Sequence, residues 1–182
     1  SWFWKINPGA MGGFVLMIFL VCRPGICEES LAGNGVKIGL VTDTHFDRVT
    51  FPERREVAKK IVDIFNAEKV DIILGLGDLY EGNYQGLQDY LDDKTLYEVP
   101  WLEAEAPVYW TLGNHDNWGV RDYQYIANCS FMEARNYTVD LPEGWRLVIY
   151  ANCDGHYFSS NPTDLIWLSN ILDKAREEKK KI

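Results

Sequence analysis

Three short segments of this chain carry side chains able to hold cations and move protons: Asp43-Thr44-His45, Gly77-Asp78 and Gly113-Asn114-His115-Asp116. Asp43 and His45 stand two apart, so a chain turning off a strand end can aim both at one cation. A carboxylate oxygen beside an imidazole nitrogen suits zinc, manganese or iron. The carboxylate of Asp78 has two oxygens and can bridge two cations about 3.5–4 Å apart, the spacing at which a metal pair clamps a phosphate and acidifies a bound water. Asn114 offers a neutral carbonyl oxygen to the second cation. His115 is of the type that protonates a leaving oxygen or stabilises the charge developing there, with Asp116 expected to fix its tautomer. Taken singly, each residue also has a structural explanation, since Asp43 and Asp78 suit turns and Asn114 suits a helix cap.

What makes the three segments more than turns is where they fall. Residues 36–42 (VKIGLVT), 71–76 (DIILGL) and 107–112 (PVYWTL) are short apolar runs that read as buried strands, and each finishes at one of the polar segments. In an open α/β sheet, ligands bind outside the carboxyl ends of the strands, so segments distant in sequence converge there. Gly77 and Gly113 allow the backbone to turn sharply or to approach a ligand closely. Pro52 suits a helix start, and Val57, Ile61, Ile64 and Phe65 recur on one face. Strand, helix, strand in that order predicts a parallel crossover. Residues 80–100 lack clean periodicity and read as a loop followed by a short or irregular helix. Residues 137–141 and 145–151, separated by Pro142-Glu143-Gly144, predict an antiparallel hairpin. An amphipathic helix with Leu165, Leu168, Leu172 and Ala175 on one face then runs to the basic tail Lys179-Lys180-Lys181. The sheet is therefore expected to be mixed, and the fold class α/β.

At 182 residues, 47% apolar and 25% charged, the chain has the composition of one globular domain. A net charge of −9 argues against a surface built for a phosphate backbone, so no nucleic-acid partner is expected. The apolar stretch 14–22 (FVLMIFLVC) falls well short of the roughly 20 residues a membrane-spanning helix needs. It suits the core of a signal peptide, with Gly25 and Cys27 before a cut ahead of Glu28. Residues 1–33 are accordingly read as a leader with a linker, 34–182 as the domain, and export from the cytoplasm as the expected destination. Cys129 and Cys153 could pair or could be small buried hydrophobes. Asn128 and Asn136 head short matches to the glycosylation pattern, which decide nothing alone.

The segments D-x-H, G-D and G-N-H-D, in that order and at strand ends, resemble the calcineurin-like metallophosphoesterases, of the purple acid phosphatase and cyclic nucleotide phosphodiesterase type. The resemblance runs from residue 36 to about 178, and it implies a metallophosphoesterase-like β-sandwich flanked by helices. It implies Asp43 and His45 on a first divalent metal, Asp78 bridging, Asn114 on a second, and His115 with Asp116 assisting hydrolysis of a small phosphomonoester or phosphodiester. Trp167-Leu168 matches a helix that family members place before a strand leading to a further His and a Gly-His-x-His segment. Neither segment is present here, so the fold is expected to be C-terminally truncated, with an exposed sheet edge. Only three His occur, and His156 precedes that helix, which suits a loop or a substrate contact better than the missing ligands. The competing expectation is a catalytically silent domain that binds one metal or a partner. Tyr80, Tyr84 and Trp118 lie close enough in sequence to the site to stack on a nucleoside, or to serve only as packing.

Overall fold

Ile72, Ile73, Leu74 and Gly75 are buried in succession because this strand lies inside a sheet and is covered on both faces. The computed structural model describes residues 20–21, 36–116, 118–151, 153–154, 157–158 and 162–182. In chain order these form β1 (Leu20–Val21), β2 (Lys37–Val41), α1 (Arg54–Glu68), β3 (Ile72–Gly75), α2 (Leu87–Leu102), β4 (Val108–Trp110), α3 (Asp122–Asn128), β5 (Asn136–Asp140), β6 (Arg146–Tyr150), β7 (Cys153–Asp154), β8 (Tyr157–Phe158) and α4 (Pro162–Glu177). One sheet has the order β1-β2-β3-β4. The β2–β3 and β3–β4 pairs are parallel, in the registers Val41↔Gly75 and Gly75↔Trp110, so the three strands finish level. β1 is antiparallel to β2, and β5–β6 is the expected antiparallel hairpin. The mixed α/β expectation therefore holds. The leader, apart from Leu20–Val21, and His156 lie outside the described residues.

Helix α1 covers the sheet with Ala58, Ile61, Val62 and Phe65, while Val57 and Ile64, expected on that face, are 38% and 41% exposed. The Phe65 ring lies over Gly39 of β2, so close that a side chain there would require the ring to shift. The segment read as irregular is the long helix α2. Its periodicity was obscured by two buried acids among the buried aromatics, Asp93 and Glu98, each tied to a cation: Arg48 Nη1 to Asp93 at 2.6 Å and Lys94 Nζ to Glu98 at 2.9 Å. Between α2 and the sheet lies an aromatic core of Tyr80, Tyr90, Tyr97, Trp101, Trp110 and Tyr125.

The outer edge of β4 is not left bare. The Trp110 N–H donates to the Phe131 carbonyl at 2.9 Å, and the Tyr137 hydroxyl donates to the Trp110 carbonyl at 2.7 Å. The start of β6 is met by the tail, where Arg146 N–H donates to Lys181 O at 2.7 Å. α4 buries Ala175, but Leu165 and Leu172 stay exposed. Cys129 is a free, buried thiol, and no helix among the described residues is long and apolar enough to cross a membrane.

Candidate metal centre

Beyond the ends of β2 and β3 the two chains continue side by side. Asp43 N–H donates to Gly77 O at 3.2 Å, His45 N–H to Asp78 O at 3.0 Å, and Phe46 N–H to Leu79 O at 2.8 Å. This pairing brings D-x-H against G-D although the two are far apart in sequence. The third segment joins through glycine contacts, for a β-carbon on Gly77 would collide with the backbone of Gly113, and one on Gly113 with the Asp78 carboxylate. The loops can touch because both positions lack a side chain.

Asp43, His45 and Asp78 all have left-handed backbone conformations, with φ of 55°, 46° and 52°. Residues with a β-carbon enter that region at a cost, on the order of 1 kcal/mol each, and such outliers gather at functional sites. Their donor atoms fall together: those of Asp43, His45 and Asp78 lie within 4.8 Å of one another, and so do those of His45, Glu81 and His115. Asp43 Oδ1 lies 3.8 Å from His45 Nε2. The His45 and His115 rings meet edge to face, 4.6 Å between centroids. Asn114 is half-buried in the following turn, between two residues that touch Asp78: Gly113, and His115, whose N–H donates to Asp78 Oδ1 at 2.8 Å.

Glu81 was missed, because one more acid after a strand end reads as solvated surface. Its carboxylate stands 3.1 Å from His45 Nδ1, yet off the line of a hydrogen bond, leaving that buried nitrogen without a hydrogen-bond partner. Its carbonyl lies 2.8 Å from His115 Nδ1. Asp116 requires a correction. Sequence adjacency suggested that it orients His115, but its carboxylate is fully buried and turned onto the backbone. Oδ1 accepts N–H bonds from Leu79 at 2.8 Å and Tyr80 at 3.1 Å, and Oδ2 from Asp78 at 2.9 Å and Gly113 at 2.7 Å. Burial pushes its acid up to about 6, the Asp78 carboxylate adds to that push, and the amides oppose it.

Arg54 fastens the turn that carries His45 from beneath, donating to the carbonyls of Thr44 at 3.1 Å and His45 at 2.5 Å while its guanidinium lies over Phe51. Charge-assisted bonds of this kind contribute roughly 1.5–3 kcal/mol when buried and less at a half-exposed position. Arg54→Ala is therefore expected to lower global stability by about 1–2 kcal/mol and to speed amide exchange at His45 and Phe46 well beyond that at Ile73. Uniform exchange rates across the three would dismiss the local role.

Imidazole and carboxylate donors converging on one spot, with a buried imidazole nitrogen lacking a hydrogen bond, fit a divalent cation. Parallel strands ending level at such a cluster define the class, and the chain belongs to the calcineurin-like phosphoesterase family, which it matches over residues 36–182. The chain is similar to the DNA double-strand break repair protein Mre11 of Halobacterium salinarum, 34% identical over 93 aligned residues. That match covers 46% of this chain and 22% of the repair protein, so the chain spans under a quarter of that relative's length. Its fold is similar to that of a dimetal phosphatase from Danio rerio, with a TM-score of 0.63, 10% identity, and coverage of 79% of this chain and 67% of that one.

Proposed function

We propose that this chain provides the strand-end site of a metal-dependent phosphoesterase that hydrolyses a phosphomonoester or phosphodiester. The observation that carries the reading is the convergence of Asp43, His45 and Asp78, all in left-handed conformations, on one cluster. In this reading Asp43 and His45 would hold one divalent cation, Asp78 would serve both that cation and a second, and Asn114 would supply its amide oxygen to the second. Such cations, when bound, polarise the phosphoryl oxygens and lower the pKa of an attacking water. The Glu81 carbonyl beside His115 Nδ1 favours a proton on that nitrogen. Nε2 is then the atom that takes up a proton and passes it to the leaving oxygen. The Glu81 carboxylate, 3.1 Å from the otherwise unpartnered His45 Nδ1, places a second acid where a cation held by that ring would sit.

Small substrates suit a chain of net charge −9 better than a polyanion. The similarity to an Mre11 protein nevertheless makes DNA a substrate to test. The experiment is turnover of aryl phosphate monoesters, aryl phosphate diesters and a DNA oligonucleotide by the full chain with added Mn2+. Hydrolysis of at least one ester, abolished by chelator and restored by metal, is the expected result. No turnover of any of them by a chain that still binds Mn2+ would leave the silent-domain alternative standing and dispose of the enzyme.

A further inference from the structure

Of the three aromatic residues near the site, Tyr80 and Tyr84 are consumed by the core, at 0% and 5% exposure, whereas Trp118 remains 38% exposed. Its indole stands edge to face with the His115 ring, 5.6 Å between centroids at 77°. The side chain therefore flanks the residue assigned to the leaving oxygen. Its backbone is fastened on both sides: Trp118 N–H donates to His115 O at 3.0 Å, and Tyr84 N–H donates to Trp118 O at 2.8 Å. Gly82 and Gly119, at φ of 77° and 92°, let the loop of residues 81–84 press against this turn, since a β-carbon on either would collide with the facing backbone. A large, flat, half-exposed ring on a fastened turn binds another ring with little loss of freedom.

Resting on the phosphoesterase reading above, we propose that Trp118 is a stacking platform for an aromatic ring in the leaving group, which makes nucleoside monophosphates or similar ring-bearing esters the preferred substrate class. A nucleobase is separated from its phosphorus by one ribose, so a phosphate held at the Asp43, His45 and Asp78 cluster leaves the base within reach of a side chain that borders His115. Stacking of a base on an aromatic side chain carries about 5- to 100-fold in binding. It works for any base, because every base has a π-face. The chain's negative charge restricts the preference to single nucleotides rather than long polyanions.

The test compares a nucleoside 5′-monophosphate with ribose 5-phosphate, which offers the same leaving oxygen without the ring. The full chain with Mn2+ is expected to favour the nucleotide about tenfold in kcat/KM. Trp118→Leu should cut nucleotide turnover far more than ribose 5-phosphate turnover, and Trp118→Phe should retain most of the preference. Equal losses on both substrates, or no preference in the wild type, overturn the platform. A second measurement needs neither metal nor turnover: adenosine is titrated into the metal-free chain while the Trp118 indole N–H resonance, identified by its loss in Trp118→Leu, is followed by NMR. A saturable shift caused by adenosine and not by ribose supports the platform even if no ester is hydrolysed, in which case only the phosphoesterase reading fails. No shift overturns the platform.

Discussion

Asp78→Asn is expected to lower phosphoester turnover by at least about a thousandfold and to remove most of the chain's affinity for Mn2+, while leaving the fold intact. The size follows from the several kcal/mol of charge stabilisation that a correctly held cation supplies, at 1.36 kcal/mol per decade of rate. The specificity of the effect follows from the geometry. One carboxylate oxygen of Asp78 already accepts the His115 N–H at 2.8 Å, and the oxygen of an Asn amide can keep that bond. Asn also keeps the shape that Gly113 accommodates and the tolerance for a left-handed backbone at φ 52°. What it loses is the negative charge and the second oxygen, which the amide replaces with two hydrogens that repel a cation. Removing the charge also relieves Asp116, whose acid Asp78 helps to push up. The denaturation midpoint without metal should therefore stay level or rise slightly. Calorimetric Mn2+ titration and kcat/KM on an aryl phosphate read the two effects separately, and rates within a factor of ten of wild type would remove Asp78 from the reaction.

Features that depend on local patterning were legible in the sequence, and those that depend on tertiary direction were not. The strands stood out because β-branched runs ended abruptly in polar residues, and the register that levels Val41, Gly75 and Trp110 then gathers those ends without further instruction. α2 was obscured because Asp93 and Glu98 interrupt its apolar face, and only the three-dimensional partners Arg48 and Lys94 explain why acids are tolerated there. Glu81 was invisible because its closeness to His45 depends on the pairing of two distant loops, where Glu81 N–H donates to Phe46 O at 2.9 Å, which no spacing rule anticipates. Asp116 misled for the opposite reason. Neighbours in sequence look like partners, but the turn sends the His115 ring toward Glu81 and the Asp116 carboxylate into the core.

That inward carboxylate carries the second large expectation. Asp116→Asn is expected to destabilise the metal-free chain by about 3–5 kcal/mol, nearly as much as Asp116→Ala, from a total of about 5–15 kcal/mol typical of a domain. Each oxygen accepts two backbone N–H groups, Leu79 and Tyr80 on one, Asp78 and Gly113 on the other. An Asn oxygen serves one pair and turns its NH2 onto the other, setting donors against donors in a buried place. Each donor left unpaired costs about 1–3 kcal/mol. The four amides belong to the two loops that form the cluster, so this carboxylate ties G-D to G-N-H-D as a buried staple. Loss of the staple should then weaken Mn2+ binding as well as stability, although Asp116 belongs to neither group of converging donor atoms. Urea unfolding monitored by far-UV circular dichroism reads the first effect, and a midpoint shift worth under about 1 kcal/mol would show that the loops are held together by something else. Added Mn2+ should recover part of the lost stability, because a ligand that binds only the folded state shifts the equilibrium toward it.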